Sequence, residues 1–317
     1  MLPRRSFLLA AAAGLAATLV SATATAAPRE IRIGYQKSGL LLIAKQQGLL
    51  EKRFAPQGIT VKWSEFSFGP PLLEALGVGS LDYGTTGDTP PIFAQAARAN
   101  LVYAAALPAA GSGAAVLLPK GSTITTLGEL KGKRVGFAKA SSSHNLTIAA
   151  LEKAGLTYSD ITPVYLPPAD ARAAFDRGSL DAWVIWDPYY AVAERGEGVR
   201  TLASGRGIAP QNSFFLANRD FAQKNPELVA AINAVLAELA RWASENRPAV
   251  AAVLSEATGI DLEAQLRAVQ RTEYVVTPVT EAVAAEQQAI ADRFHALKLI
   301  PDPIRIRDAV WDWKPVS

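Results

Sequence analysis

Leu81-Asp82-Tyr83-Gly84-Thr85-Thr86-Gly87-Asp88-Thr89-Pro90-Pro91-Ile92-Phe93-Ala94-Gln95 decides the fold of this chain. Leu81 to Gly84 has the composition of a short strand. Asp88 followed by Pro90-Pro91 is a helix start: a polar capping residue, then proline where a missing N–H costs nothing. The helix runs on toward Asn100, and Leu101 to Leu107 is an apolar run of strand length. Strand, helix and strand in direct succession predict an α/β fold with a mainly parallel sheet.

The same alternation extends upstream. Ile31 to Gly34 reads as a strand and Leu40 to Leu50 as a helix ending near Lys52-Arg53. Ile59 to Phe66 is a strand, and Pro70-Pro71 opens a helix over Leu72 to Gly77. Downstream, Pro108-Ala109-Ala110-Gly111-Ser112-Gly113 is small and flexible and reads as a crossing segment. The alternation then restarts. Strands are expected at Ala114–Leu118, Arg134–Ala138, Val164–Leu166 and Ala182–Ile185, with helices at Thr126–Lys131, Ser143–Ala154, Ala169–Arg177 and Pro188–Gly196. Ser213–Ala217 is expected to return to the first sheet after a second crossing near Pro210. The rest is mostly helical: Glu227–Glu245, Pro248–Thr258, Leu262–Val269 and Glu281–Leu297, then a tail from Ile304 to Trp313. Residues 28–109 plus 212–317 therefore form one lobe and 110–211 the other. Ligands of α/β sheets sit at strand carboxyl ends, so the cleft between the lobes is the expected site.

Composition narrows the function. The 317 residues carry 32 basic and 29 acidic side chains, a net charge of only +3, and Lys and Arg are scattered. Nothing here offers a nucleic-acid surface. With no cysteine there is no disulfide, thiolate metal site, cysteine nucleophile or lipid-attachment cysteine. Met1 to Ser6 is basic, Phe7 to Val20 is apolar, and Ser21 to Ala27 is rich in small residues with A-x-A patterns. That is the pattern of a signal peptide over residues 1–27, cleaved near Ala27 or Pro28, and the run is too short to span a membrane. Arg4-Arg5-Ser6-Phe7-Leu8 fits a twin-arginine signal, and an ordinary Sec signal fits as well.

Four strand-to-helix junctions share one character: Gly34-Tyr35-Gln36-Lys37-Ser38-Gly39, Thr85 through Pro91, Ala140-Ser141-Ser142-Ser143-His144-Asn145, and Ile185-Trp186-Asp187-Pro188-Tyr189-Tyr190. A helix N-terminus leaves backbone N–H groups unpaired and carries partial positive charge. Several such ends facing one cleft make an anion site without lysine or arginine. Asp88 and Asp187 read most simply as N-caps turned to their own helix amides, and in a cleft either also suits a ligand ammonium. Tyr35, Phe68, Trp186 and Phe214 are candidates for an apolar wall. No G-x-S-x-G elbow, GxGxxG or phosphate loop is present, and His144 and His295 have no partners at ligand spacing. No enzyme chemistry, cofactor or metal is expected.

At these junctions the sequence resembles the aliphatic sulfonate-binding proteins, the periplasmic components of ABC importers. The likeness rests on Ile33-Gly34-Tyr35-Gln36-Lys37, Leu73-Glu74-Ala75-Leu76 with Gly79-Ser80-Leu81-Asp82, Thr86 through Gln95, Ser141 through Leu146, Pro168 through Phe175, and Asp181-Ala182-Trp183 through Tyr190. The resemblance implies a two-lobed type II periplasmic binding-protein fold. It would be a monomer that closes on an alkanesulfonate and delivers it to a membrane permease for sulfur uptake. By position, Gln36, Gly87, Asp88, Ser141, Ser142, Ser143, His144, Trp186 and Asp187 would line the cleft. Relatives that take taurine, nitrate or another small anion leave those ligands open. A C–S bond-cleaving enzyme acting through His144 is the contrasting possibility.

Overall fold

In the computed structural model, which describes residues 30–315, the chain builds two five-stranded sheets. The segment read as a signal peptide lies outside the described residues. The first sheet contains β1 (Glu30–Tyr35), β2 (Thr60–Glu65), β3 (Tyr83–Gly87), β4 (Leu101–Leu107) and β10 (Ser213–Asn218), in the order β2-β1-β3-β10-β4. The second contains β5 (Ala114–Leu118), β6 (Arg134–Phe137), β7 (Thr162–Tyr165), β8 (Ala182–Trp186) and β9 (Arg200–Ser204), in the order β7-β6-β8-β5-β9.

The expectation of mainly parallel sheets needs one correction. β1 pairs in parallel with β2 and β3, but β10 is antiparallel to both β3 and β4. In the second sheet β6 pairs in parallel with β7 and β8, whereas β5 is antiparallel to β8 and β9. Each sheet therefore has one reversed strand, and in both cases it is the strand that enters from the other sheet. The crossings are 108–113 and 205–212. They touch backbone to backbone: a Cβ on Gly111, whose φ is +77°, would stand 2.3 Å from the Ala209 carbonyl oxygen. Only glycine fits that close approach at a positive φ.

Around the first sheet pack α1 (Gly39–Gln46), α2 (Leu49–Phe54), α3 (Gly69–Gly77) and α4 (Thr89–Ala96). The second sheet carries α5 (Ser142–Lys153), α6 (Pro168–Asp176) and α7 (Tyr189–Ala193). The carboxyl-terminal part supplies α8 (Arg219–Lys224), α9 (Pro226–Glu245), α10 (Arg247–Thr258), α11 (Leu262–Arg271) and α12 (Glu281–Ala296). Helix α9 buries Leu228, Val229, Ile232, Leu236, Leu239, Ala240 and Ala243, a stripe at helical spacing. Asn233 on the same stripe accepts from the Tyr83 hydroxyl at 2.5 Å and donates to the Ala104 carbonyl at 2.9 Å. Buried polar atoms satisfied in this way fix the register of α9 on the sheet.

Three details differ from expectation. The helix expected over Leu40–Leu50 is two helices, broken where Gly48 turns to φ +61°. The segment Thr126–Lys131 forms a 3₁₀ turn over Leu127–Leu130 with a Thr126/Glu129 capping box. Strand β9 and helix α8 were not expected at all.

Candidate functional site

A cavity of about 240 Å³ opens between the two sheets. Its wall includes Gln36, Ser38, Gly39 and Leu40 from the β1–α1 junction and Thr85, Thr86 and Gly87 from β3. Ser141 and Ser142 come from the start of α5, and Trp186 and Asp187 from the end of β8. Six of the nine residues expected to line the cleft do so: Gln36, Gly87, Ser141, Ser142, Trp186 and Asp187. Asp88, Ser143 and His144 are buried behind that wall.

The four helix starts are not equivalent. At α5, the Ser141 hydroxyl donates to the Ala138 carbonyl at 2.7 Å and does not cap its own helix. The amides of Ser142 and Ser143 open the helix, with no carbonyl one turn earlier to take them. At α1, Ser38 likewise makes no capping bond, and Ser38, Gly39 and Leu40 all reach the cavity. These two ends belong to opposite sheets. At α4 the sequence Thr89-Pro90-Pro91 removes two of the first three N–H groups, since proline has none. At α7 the Asp187 carboxylate accepts from the Ala191 amide at 3.0 Å. Positive helix-end potential reaches the cavity chiefly from α1 and α5.

The expectation that Asp88 caps α4 is also corrected. Its side chain makes no capping bond. Oδ1 accepts from the Thr89 hydroxyl at 2.9 Å, and Oδ2 accepts from Asn145 Nδ2 at 2.9 Å, tying the first sheet to α5. Burial raises the Asp88 carboxyl, and donors from Ser142, Thr89 and Asn145 work against that rise. Gly87 sits in the same join: a Cβ there would fall 2.0 Å from the Ser142 hydroxyl oxygen.

His144 is a packing residue in this arrangement. It stacks on Phe137 with ring centroids 5.1 Å apart, and Phe294 of α12 meets it edge-on at 5.0 Å. Nδ1 accepts from the Ala140 amide at 3.3 Å, and Nε2 pairs with the Tyr158 hydroxyl at 3.0 Å. Burial, with Lys139 adding to it, lowers the imidazole to about 3. No carboxylate orients the ring, as a general base would need. Of the expected apolar wall, Trp186 lines the cavity while Tyr35 and Phe214 belong to the core.

One whole side of the site is not expected from the sequence. Helix α11 packs on α7 and brings Gln265, Ala268 and Arg271 to the wall, and the segment that follows it adds Thr272, Glu273 and Tyr274. The cleft therefore does contain an arginine, contrary to expectation. Arg271 is already engaged: it donates to Glu194 and to Asp187 Oδ1, the latter at 3.4 Å, and its guanidinium lies 4.0 Å over the Tyr190 ring. Burial pushes the Asp187 carboxyl up to about 7, and the Arg271 charge and Ala191 amide offset this only in part. Among the described residues, no group of three or more His, Cys, Asp or Glu is placed to hold a metal ion.

This architecture is found in proteins already described. The sequence model of the NMT1-like family matches residues 24–257. An aliphatic sulfonates-binding protein of Escherichia coli K12 is 43% identical over 305 residues, covering 96% of this chain and 95% of the relative. The chain belongs to the aliphatic sulfonate-binding protein family. The crystal structure of a periplasmic aliphatic sulphonate binding protein from Escherichia coli superposes with a TM-score of 0.82 at 41% identity, covering 92% of this chain and 94% of that one. The alkanesulfonate-binding protein of Xanthomonas axonopodis pv. citri, solved bound to MOPS, superposes with a TM-score of 0.86 at 41% identity, covering 90% of this chain and 98% of that one. The family resemblance read from the sequence junctions is thus borne out, as is the two-lobed α/β fold it implied.

Proposed function

We propose that this family member is a periplasmic capture protein for aliphatic sulfonates, which it hands unchanged to the permease of an ABC importer. The observation that carries the proposal is the pair of uncapped helix starts, α1 and α5, opening from opposite sheets onto one cavity. A sulfonate has three oxygens that accept N–H donors and a single negative charge, so it suits two such ends without a free lysine or arginine. Trp186, Leu107 and Val269 on the wall give an alkyl tail apolar surface. The relatives' sulfonate-binding names and the MOPS-bound neighbour support the same ligand class. Export by the signal-like first 27 residues fits their periplasmic setting, and the chain acts as a monomer.

In this proposal Gln36, Gly87, Ser141, Ser142, Trp186 and Asp187 face the ligand. Asp88, Ser143 and His144 hold the wall from behind. Calorimetric titration with a panel of alkanesulfonates, taurine, sulfate and nitrate tests it. Saturable binding of at least one sulfonate, tighter than sulfate and nitrate, is expected. Tight nitrate or sulfate binding with no sulfonate bound would overturn it. A turnover assay on aryl sulfonates and sulfinates is expected to return the ligand unchanged, because His144 is locked among aromatic rings with no access to the cavity wall.

A further inference from the structure

The starts of α1 and α5 form the anion pole of the cavity. Each helix start carries about half an elementary positive charge, so the two together match about one negative charge. No free cation adds to them on the wall. Arg271, the basic side chain there, is engaged by Glu194 and Asp187. Arg293 reaches the first turn of α5 only through Asn145 Oδ1, and it is paired with Glu152 at 3.0 Å.

Behind this pole sits a carboxylate. Asp88 is fully buried, and its oxygens take donors from the first turn of α5 itself: the Ser142 hydroxyl, and Asn145 Nδ2 at 2.9 Å. The Thr89 hydroxyl adds another at 2.9 Å. Converging donors are what an ionised carboxylate needs. None of these partners carries a charge, and Asn145 stands between Asp88 and Arg293. Ser142 lines the cavity, so a single side chain separates the carboxylate from a ligand at the pole. At about 6 Å and an effective dielectric constant of about 20, one unit charge acting on another changes an affinity roughly a hundredfold.

We propose that Asp88 is the charge filter of the cleft, a sealed carboxylate that limits the anion pole to a single negative charge and turns away tetrahedral dianions. The proposal rests on the sulfonate reading of the cleft and assigns its selectivity to a residue that touches no ligand. A sulfonate brings one charge, which the two helix starts offset. Sulfate has the same tetrahedral oxygens and brings two. Its second charge meets no further positive partner and is repelled by Asp88.

Sulfate and methanesulfonate test this, since they are nearly isosteric and differ by an oxygen in place of a methyl group. Each is titrated in competition with a bound longer alkanesulfonate, at mildly alkaline pH where Asp88 is ionised. The wild-type protein is expected to prefer methanesulfonate. In Asp88→Asn, which keeps the shape and removes the charge, the affinity for sulfate relative to methanesulfonate is expected to rise tenfold or more. Asp88→Ser is expected to move the same ratio in the same direction. Sulfate bound as tightly as methanesulfonate by the wild type would overturn the proposal, whatever the variants do. An unchanged ratio in a folded variant would overturn it as well. So would failure of both variants to fold, since a carboxylate kept for the fold needs no part in selectivity. If no alkanesulfonate binds while sulfate or nitrate does, the sulfonate reading fails and this proposal with it. If alkanesulfonates bind and the ratio does not move, only the charge filter fails.

Discussion

Asn145 donates from Nδ2 to Asp88 Oδ2 at 2.9 Å, joining α5 of the second sheet to the β3–α4 junction of the first. The other end of the same amide, Oδ1, accepts from Arg293 Nη1 of α12 at 2.8 Å, and Arg293 also pairs with Glu152 at 3.0 Å. One fully buried asparagine is thus held from both sides by groups that belong to the first sheet's half of the molecule. Asparagine suits the place because it offers a donor to the carboxylate and an acceptor to the guanidinium at once.

Asn145→Leu keeps the volume and removes both bonds. Asp88, fully buried, then loses a donor, and Arg293 loses an acceptor. The expected cost is about 2–4 kcal/mol of unfolding free energy, read from urea unfolding. A loss below about 0.5 kcal/mol would mean the bridge does not hold in solution.

Gly87 and Ser142 face each other across the same join. Gly87→Ala places a methyl 2.0 Å from the Ser142 hydroxyl oxygen and 3.2 Å from its Cβ, so the two sides have to separate. Gly87→Ala is expected to weaken ligand binding by roughly tenfold or more. Adding Ser142→Gly opens the space, and the double variant is expected to bind as Ser142→Gly does alone. Additive losses in the double variant would show that Gly87 acts through something other than this contact.

Much of the fold was legible because whole strands are buried. β4 and β5 were read from sequence with their observed bounds, since both are continuous apolar runs. β9 was missed because Arg200-Thr201-Leu202-Ala203-Ser204 is a partly exposed edge strand with no apolar run or clear alternation. The reversed strands were invisible for a different reason: a buried strand has the same composition in either direction. The serine turn at α5 pointed to the cleft, but successive helix residues rotate by about 100°. Ser141 and Ser142 consequently face the cavity while Ser143 and His144 turn into the core. Arg271 and its neighbours could not be placed, because α11 reaches the site only by packing on α7. The pattern of α11 reveals its buried face, not what that face packs against.

His144 and Asp187 give the protein two opposed pH dependences. His144 is lowered to about 3 in the folded protein, by burial first and Lys139 second, against about 6.5 when unfolded. Its contribution is complete above pH ~6.5 and is lost as pH falls toward about 3. Asp187, raised to about 7 by burial, behaves in the opposite sense: its contribution is complete below the ordinary aspartate value of about 3.9 and is lost as pH rises through about 7. Asp88, also raised by burial, acts on the same side as Asp187. Between about pH 5 and 6.5 the slopes offset each other, each worth up to about 1.4 kcal/mol per pH unit. Relative to wild type, Asp187→Asn is expected to lose stability on acidification through this window, and His144→Phe to gain it. Parallel curves for wild type and both variants would overturn the assignment.

The last prediction separates backbone from side chain at the anion pole. Ser142 is the first residue of α5, where proline fits the helix and removes only an N–H. Ser141, which would precede that proline, already has φ −98° and ψ 170°, the extended conformation a proline demands of its predecessor. Ser142→Pro therefore strips one amide, and the hydroxyl with it, from the cavity while leaving α5 in place. Ser142→Ala strips the hydroxyl alone. If the open amides of α5 hold the sulfonate, Ser142→Pro is expected to lose roughly tenfold to a hundredfold in affinity, the loss that goes with one hydrogen bond to a charged group. Ser142→Ala should lose only a few-fold, since the Ser142 hydroxyl donates to the Asp88 carboxylate behind the wall. Both are expected to keep wild-type circular dichroism and a midpoint of unfolding within a few degrees. Equal losses in the two variants would transfer the role from the helix end to the hydroxyl, and an unaffected Ser142→Pro would remove α5 from the anion site altogether.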